Sequence, residues 1–371
     1  MSKGSVGYGT LVEILPVLST WSIDHLPSQA TLETRRILKM LPPAHAALAE
    51  LKGAAASIPD QTILLNTLAL REARDSSAIE NIITTQDALY KVELNLKPFS
   101  DLAAKEVQDY NRALRKGYEL IKSRGLITNQ TIIQIQEELE GNRAGFRRVP
   151  GTALLNDRTG AAIYTPPQDY DTIARLMGDL QHYINTDEIN DYDPLVKMAI
   201  IHYQFESIHP FYDGNGRTGR ILNILYLILR GLLDAPILYH SSFIIQHKAD
   251  YYRLFQEVRE TGNWENWLAF MVRSIGETAV DTVRTVKAIR AAMRETKQTL
   301  RSRYKFYSQD LLSTLYQHPY TKIEFIQRDL GVSRHTAANY LNTLASDGLL
   351  RKEKLGNSNY YINRSLVNLL T

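Results

Sequence analysis

A twelve-residue stretch at 209–220, directly before an apolar run, limits most strongly what this chain can fold into. The stretch reads HPFYDGNGRTGR, and residues 221–229 after it are almost entirely apolar. An apolar run of this kind predicts a buried helix. A buried helix that begins with a histidine, a carboxylate, two glycines and two arginines indicates a polar site at its amino-terminal end.

The loop within this stretch has the composition of an anion site. Gly214 and Gly216 flank Asn215, which suits a turn with positive φ, and such a turn directs successive N–H groups into one concavity. The helix that it opens adds unpaired N–H groups and the positive end of its dipole. Arg217 and Arg220 share a face of the first turn, and each can bind a phosphate with two N–H donors.

Two further side chains complete a reactive arrangement. Asp213 is placed to hold a hard cation such as Mg²⁺ between its carboxylate and a polyphosphate. His209, where Pro210 stops the preceding helix, can accept a proton from an incoming hydroxyl. A histidine at a helix end and a Gly-Asn-Gly turn are each more often structural, but their combination in this order favours a functional site. The stretch therefore predicts a base, a metal ligand and a polyphosphate cradle.

At every specified position this stretch resembles the Fic motif, HxFx(D/E)GNGRxxR. Resemblance to the Fic (Fic/DOC) family implies a mainly α-helical fold and transfer of AMP from ATP, with Mg²⁺, to a protein hydroxyl. It also implies that His209 deprotonates the target Ser, Thr or Tyr and that Asp213 holds Mg²⁺. The ATP-binding residues that it implies are Gly214, Asn215, Gly216 and Arg217 at the α- and β-phosphates, the adjoining Thr218 and Gly219, and Arg220 at the γ-phosphate.

A second motif lies upstream. If this segment is helical, Glu72, Ser76 and Glu80 lie on one face at i, i+4 spacing, which by itself is typical of a solvated helix. The sequence Ser76-x-x-x-Glu80-Asn81 resembles the (S/T)xxxE(G/N) inhibitory motif of Fic proteins, in the class that carries it before the main motif. The resemblance implies that Glu80 pairs with Arg220 in place of the γ-phosphate, so that ATP binds in a pose unsuited to attack at the α-phosphorus.

Residues 145–167 contain two short extended segments around a turn at 156–160, which predicts a β-hairpin. By resemblance this hairpin is the flap that pairs with an extended segment of the target protein. Further along, Gln246 stands where the family usually has Asn, so its contact with the nucleoside is an expectation only. Tyr252 matches a position that commonly lies against adenine, and packing in the core is its alternative role.

Helical periodicity also covers residues 31–49, and Pro42 and Pro43 are expected to break that helix. Another helix is expected to begin after Asp193, a good N-cap, with Pro194 at its first position.

Residues 306–371 predict a separate small domain with three helices followed by a hairpin, the winged helix-turn-helix pattern. The residues of its third helix expected to face a DNA groove are Arg334, His335, Asn339 and Asn342. Because this helix is only weakly basic, contact with protein is an equal alternative to DNA binding. The basic run at 276–305 is expected to form a linker helix.

Composition excludes several classes of protein. The apolar fraction of 44% and the charged fraction of 22% are ordinary for a soluble globular chain. The absence of cysteine excludes disulfides and thiol-bound metals, and a net charge of +3 is too small to establish a nucleic-acid partner. No apolar run approaches the ~18–20 residues of a membrane span, and the start lacks a convincing signal peptide. A cytoplasmic location without a membrane partner is expected.

The sequence thus predicts a mainly α protein: a Fic-type helical core with a small β-hairpin flap, followed by a winged helix-turn-helix. The expected regions are 1–95 with the inhibitory motif, 96–275 as the Fic core, 276–305 as the linker helix and 306–371 as the winged helix. The expected function is an autoinhibited protein adenylyltransferase that uses ATP and Mg²⁺ on a target protein, itself included. A DNA-binding regulator with a nucleotide-sensing core, removal of AMP from modified protein, and a homo-oligomer remain open.

Overall fold

The computed structural model of the chain describes residues 22–24, 26, 32–85, 88–89, 102–155, 160, 162–186, 191–355 and 358–370. The helices are α1 (Arg35–Ala56), α2 (Thr62–Ile79), α3 (Leu102–Arg124), α4 (Asn129–Glu140), α5 (Tyr170–Asn185), α6 (Pro194–Ile208), α7 (Asn215–Leu229), α8 (Ser241–Gln246), α9 (Lys248–Thr261), α10 (Glu265–Arg303), α11 (Gln309–Gln317), α12 (Ile323–Leu330), α13 (Arg334–Ser346) and α14 (Arg364–Leu370). The strands are β1 (Leu154–Leu155), β2 (Ala162–Tyr164), β3 (Tyr320–Thr321), β4 (Arg351–Leu355) and β5 (Ser358–Ile362). The fold is mainly helical, as predicted. Residues 156–159 of the predicted turn and most of residues 1–31 lie outside the described residues.

Helices α6 and α7 form the centre of the molecule. Except at Pro194 and Glu206, α6 is buried along its length, and α7 is buried from its first turn to Leu227 apart from Gly216. The two helices pack against each other, α2, α3 and α4 cover α7, and α5 and α10 cover α6. A helix apolar on all sides requires such cover. The loop at 209–214 that joins α6 to α7 therefore has a fixed scaffold on both sides.

The start of α6 confirms the predicted cap. The Asp193 side chain accepts a hydrogen bond of 2.8 Å from the Leu195 N–H, and Pro194 occupies the first helical position. Proline is suited to that position because its missing N–H would have no helical partner.

Helix α1 runs without interruption through Pro42 and Pro43, so the predicted break was wrong. A proline inside a helix costs about 3 kcal/mol because it removes a hydrogen bond and crowds the preceding turn. Extensive packing of α1 along α10 buries Ile37, Leu41 and Leu48. Each such side chain contributes about 1.5–3 kcal/mol on burial, which offsets the cost of the prolines.

Strands β1 and β2 pair antiparallel and confirm the predicted hairpin, with Leu154 opposite Tyr164. In the C-terminal region, α11, α12 and α13 precede the β4–β5 hairpin, and β5 also pairs with β3. The order of three helices and a hairpin is the predicted one, and Ser333 caps α13 by accepting from the Thr336 N–H at 3.1 Å. The winged helix-turn-helix interpretation itself stays a prediction. The basic run at 276–305 belongs mostly to α10, which already begins at Glu265 within the predicted core.

Candidate active site

His209 lies directly after the end of α6 in a backbone conformation that non-glycine residues rarely adopt. Its φ is 50° and its ψ 59°, and its N–H donates to the Phe205 carbonyl at 2.9 Å. Burial, followed by the positive charge of Arg147, lowers the pKa of the imidazole to about 4. Among the described residues Nδ1 of this ring has no hydrogen-bond partner. At neutral pH the ring is therefore uncharged and able to accept a proton.

Arg147 fixes the turn that carries His209. Its backbone N–H donates to the Pro210 carbonyl at 2.8 Å, and its Nε donates to the His209 carbonyl at 2.8 Å. Its Nη2 donates to the carbonyl of Pro167, beyond the hairpin. The side chain is fully buried, and burial lowers its pKa. No sequence pattern pointed to this residue, because its bonds are to backbone carbonyls distant in sequence.

The Gly-Asn-Gly loop is held by its own asparagine. Asn215 Oδ1 accepts from the Phe211 N–H at 2.9 Å, and Asn215 Nδ2 donates to the Phe211 carbonyl at 2.9 Å. Gly214, with a φ of 75°, precedes the helix without a side-chain cap. The first helical bond at this end is made by the Thr218 N–H to the Gly214 carbonyl at 2.9 Å. The N–H groups before it face the loop end of the helix, as an anion nest requires.

Glu80 bridges the two arginines of the stretch. Its Oε2 accepts from Arg217 Nε at 2.8 Å, and its Oε1 accepts from Arg220 Nη2 at 2.7 Å. Ser76 also holds Arg220, whose Nε donates to the Ser76 hydroxyl at 2.7 Å and whose Nη2 donates to the Ser76 carbonyl at 3.0 Å. The exposed fractions of the two arginine side chains are 4% and 2%. Charge-assisted bonds in such a setting are among the stronger ones in proteins.

The end of α2 explains why Glu80 lies where it does. The Glu80 N–H bonds to the Ser77 carbonyl at 3.0 Å, the Asn81 N–H to the Ala78 carbonyl at 3.1 Å and the Ile82 N–H to the Ser77 carbonyl at 3.1 Å. This pattern closes the helix with Asn81 in the left-handed region, at a φ of 65°. Glycine and asparagine tolerate that region best. The left-handed backbone at the position after Glu80 therefore favours glycine or asparagine there.

Arg217 is surrounded by further carboxylates that the sequence analysis missed. Its Nη1 donates to Glu106 Oε2 at 3.1 Å and its Nη2 to Glu140 Oε1 at 2.9 Å. Glu106 lies on α3, Glu140 at the end of α4 and Glu80 directly after α2, so three separate parts of the chain supply carboxylates to one guanidinium. Burial raises the pKa of Glu140 and the charge of Arg217 lowers it, with a net upward shift.

Glu206, one turn before His209, is a further carboxyl group that the sequence analysis missed. Its Oε1 is buried without a hydrogen-bond partner in the described part of the chain. Burial raises the pKa of Glu206 to about 7, against the charge of Arg220, which lowers it. A Cβ on Gly219 would lie 2.4 Å from this Oε1. The glycine therefore makes room on α7 for this carboxyl group.

Glu72 is buried, whereas its spacing alone was typical of a solvated face. Its carboxylate accepts from the Ser241 N–H at 2.9 Å, from the Ser241 hydroxyl at 2.5 Å and from the Tyr110 hydroxyl at 3.2 Å. Burial raises the pKa of Glu72 to about 8, although the bonds from Ser241 lower it. These contacts hold the start of α8 against α2.

The remaining predicted site residues lie in different surroundings. Thr218 is buried, and its Oγ1 has no hydrogen-bond partner among the described residues. Gln246 is exposed at the end of α8. Tyr252 on α9 is 51% exposed, with its ring 5.2 Å from that of Tyr251. Tyr252 is therefore outside the core and accessible to a ligand.

Asp213 has the chemistry of a single carboxylate ligand for Mg²⁺. Its side chain is 77% exposed, and its Oδ1 accepts from the Gly214 N–H at 2.7 Å and lies 3.9 Å from Arg217 Nη2. Within the described ranges no group of three or more His, Asp or Glu side chains forms a metal site. Mg²⁺ commonly needs only one or two carboxylates when substrate phosphates and water complete its shell. The residues present fit such a shared site.

The hairpin is fastened beside His209. The Tyr164 hydroxyl at the end of β2 donates to the Ser207 carbonyl at 2.9 Å, and the Arg259 guanidinium lies 3.7 Å from the centre of the Tyr164 ring. The Tyr212 hydroxyl accepts from the Arg148 N–H at 2.8 Å. The end of β2 is therefore tied to the last turn of α6, directly before His209.

Comparison with known proteins shows which family models and solved structures this chain resembles. The model described as Fic/DOC family N-terminal matches residues 38–119, the Fic/DOC family model matches 126–227, and the model described as protein adenylyltransferase SoFic-like, C-terminal domain, matches 292–366. Among solved structures, a Fic family protein from Desulfovibrio desulfuricans aligns with a TM-score of 0.55 at 21% identity, covering 92% of this chain and 99% of that one. Fic-1 from C. elegans aligns with a TM-score of 0.51 at 21% identity, covering 72% and 75%. At these identities the structures establish the fold alone.

Curated relatives match over shorter segments. The protein adenylyltransferase Fic of Drosophila mojavensis is 26% identical over 159 residues, covering 42% of this chain and 30% of the relative. A probable protein adenylyltransferase of Aquifex aeolicus is 32% identical over 142 residues, covering 38% of this chain and 41% of the relative. The chain thus spans between about 30% and 41% of the length of these relatives. None of the helices in the described part of the chain combines the length and apolar character needed to cross a bilayer.

Proposed function

This chain belongs to the Fic/DOC family, and from that premise we propose that it is an autoinhibited protein adenylyltransferase. It transfers AMP from ATP to a Ser, Thr or Tyr hydroxyl of a target protein. The observation that carries the proposal is the carboxylate of Glu80, which bridges Arg217 and Arg220 at 2.8 and 2.7 Å. Two buried arginines at a helix amino terminus form an anion site, and a carboxylate of the same chain fills it.

The transfer is a single displacement at phosphorus. His209 takes the proton of the target hydroxyl, whose oxygen forms a bond to the α-phosphorus of ATP. The bond between the α-phosphorus and the bridging oxygen to the β-phosphate breaks, and pyrophosphate leaves with that electron pair. The products are AMP-protein and pyrophosphate, and the proton passes from the imidazole to solvent. A pKa of about 4 for His209 keeps the base unprotonated at neutral pH.

The loop and first turn of α7 hold the phosphates. N–H groups of the loop and Arg217 bind the α- and β-phosphates, and Arg220 binds the γ-phosphate. Asp213 would hold Mg²⁺, which would supply positive charge to the phosphates and to the leaving pyrophosphate. The exposed ring of Tyr252 and the exposed side-chain amide of Gln246 contact the nucleoside.

The inhibition follows from competition for the same donors. Arg220 Nη2, bonded to Glu80 at 2.7 Å, has no room for a γ-phosphate in that position. ATP that binds without this contact is poorly aligned for in-line attack, and such misalignment costs orders of magnitude in rate. Withdrawal of Glu80 removes a carboxylate from both arginines at once, because its two oxygens bond to Arg217 and Arg220.

The target enters along the hairpin. Since β1 and β2 are fastened next to His209 through Tyr164 and Ser207, an extended segment paired with the hairpin presents its hydroxyl to the base. Pairing through backbone hydrogen bonds demands little of the target sequence.

A labelled-ATP assay tests the proposal. We expect transfer of α-phosphate label to protein to be low for the unaltered chain, strongly raised by Glu80→Gly, and lost when His209→Ala is added. The matched control is His182→Ala in the Glu80→Gly background, because His182 is an exposed histidine on α5. Equal transfer with and without Glu80→Gly would refute autoinhibition. Undiminished transfer by the His209→Ala variant would refute the assigned base.

The proposal does not include DNA as a partner. On α13, Arg334 is paired with Glu324 at 2.8 Å, and Asn342 Oδ1 accepts from Lys352 at 2.7 Å and from Tyr361 at 2.9 Å. These internal contacts occupy groups that the sequence pattern assigned to a DNA groove.

A further inference from the structure

The two glycines of the loop are each covered by a carboxylate. A Cβ placed on Gly216 would lie 2.5 Å from Glu80 Oε1, and a Cβ placed on Gly214 would lie 2.5 Å from Glu140 Oε1. Both carboxylates also bond to Arg217, from Glu80 at 2.8 Å and from Glu140 at 2.9 Å. Glu140 thus occupies one side of the loop as Glu80 occupies the other.

We propose that Glu140 is a second carboxylate that competes with the phosphates of ATP for Arg217 and the Gly214 side of the loop. This inference rests on the proposed function, because it concerns the same nucleotide site. The inhibitory motif accounts for Glu80 alone. Glu140 belongs to a different helix, α4, so it remains in place when α2 releases Glu80.

The charges around Arg217 indicate that Glu140 competes with phosphate for this arginine and does not merely hold it in position. With Glu80 in place, the carboxylates of Glu80, Glu106 and Glu140 contact one guanidinium. Without Glu80, two carboxylates still contact it, and Asp213 lies nearby at 3.9 Å. A polyphosphate that arrives there meets like charges as well as the guanidinium, and like charges in a partly buried site disfavour each other.

Exposure decides which of the two remaining carboxylates matters more. The Glu106 side chain is 41% exposed, whereas that of Glu140 is 15% exposed. Solvent therefore screens the charge of Glu106 more than the charge of Glu140. In addition, Glu140 lies against Gly214, where the loop backbone must approach a phosphate closely.

Nucleotide binding tests this inference separately from catalysis. The variants are Glu80→Gly, Glu80→Gly with Glu140→Gln, and Glu80→Gly with Glu138→Gln as the matched control. Glu138 is two residues away on α4, and it pairs with the exposed Arg112 at 2.9 Å, away from the loop. Glutamine keeps the size of the side chain and removes only its charge. The Kd values for ATP with Mg²⁺ and for adenosine are measured by calorimetry.

We expect Glu140→Gln to tighten ATP binding about tenfold, which corresponds to about 1.4 kcal/mol, and to leave adenosine binding unchanged. The control Glu138→Gln should change neither. ATP binding that is unchanged or weakened by Glu140→Gln, while Glu80→Gly itself binds ATP, would overturn this inference alone. An equal effect on adenosine would also overturn it, because the change would then be structural. Failure of every variant to bind ATP would overturn the proposed function together with the inference.

Discussion

Replacement of Asn81 by valine should release Glu80 without touching any residue of the nucleotide site. Asn81 has a φ of 65° at the end of α2, next to the carboxylate that bridges the two arginines. A β-branched residue is strained in this left-handed conformation. The strain disappears if the last turn of α2 unwinds, and that movement carries Glu80 away from Arg217 and Arg220.

The size of the effect follows from the backbone cost. Left-handed conformation costs an ordinary L-residue about 1–2 kcal/mol, and strained non-glycine residues cost about 1–3 kcal/mol. A strain of about 2 kcal/mol shifts the balance between held and released Glu80 by about 30-fold. Transferase activity of Asn81→Val should therefore rise about 30-fold above that of the unaltered chain, as long as the released form stays a minority.

Asn81→Gly is the matched control. Glycine adopts positive φ without strain, and both substitutions remove the same 3.1 Å bond from Lys248 Nζ to Asn81 Oδ1. The difference between the two variants therefore isolates the backbone. Label transfer from ATP is measured for both, beside Glu80→Gly. Similar activities of Asn81→Gly and Asn81→Val would refute the reasoning, as would an Asn81→Val variant no more active than the unaltered chain while Glu80→Gly is active.

Three further outcomes are expected. Arg147→Ala removes the hydrogen bond from Arg147 Nη2 to the carbonyl of Pro167, which ties the turn at His209 to the segment after the hairpin. We expect the KM for the target protein to rise about tenfold, roughly the contribution of one net hydrogen bond, while the affinity for ATP, measured by calorimetry, stays the same. An unchanged KM would contradict this. Because the pKa of His209 is about 4, the acid limb of kcat/KM against pH should lie near that value, and a limb between pH 6 and 7 would disprove the assignment. The pKa of Glu206 is about 7 in the folded protein, against an ordinary value of 4.5. Between pH 4.5 and about 7 the folded state therefore binds a proton that the unfolded state has lost, and the folded state loses stability as the pH rises through this range. Glu206→Gln should then raise the free energy of unfolding by about 3 kcal/mol at about pH 8 and by little at about pH 4, and equal effects at both pH values in chemical denaturation would contradict this.

Local sequence determined much of the fold. The cap at Asp193 and the helix that follows the Gly-Asn-Gly loop are as predicted, because both depend on groups within four residues of each other. The hairpin around residues 154–164 also followed from two short extended segments on either side of a turn. Pro42 and Pro43 are the counterexample, since long-range packing of α1 on α10 overrode a strong local preference.

By itself, the sequence determined the chemical inventory at residues 209–220: a base, a carboxylate, a glycine loop and two arginines on one helical face. It also indicated Glu80 as the partner of Arg220, through a motif whose spacing is local to α2. Only the tertiary structure decided what fills the cradle. Glu80 lies 137 residues from Arg217 in sequence, and Glu140 lies 77 residues away. Helical periodicity tells which face of a helix is buried but not which helix it meets, whereas an ion pair forms only within about 4 Å. The contacts that close the site therefore depend on how α2, α3 and α4 pack around α7.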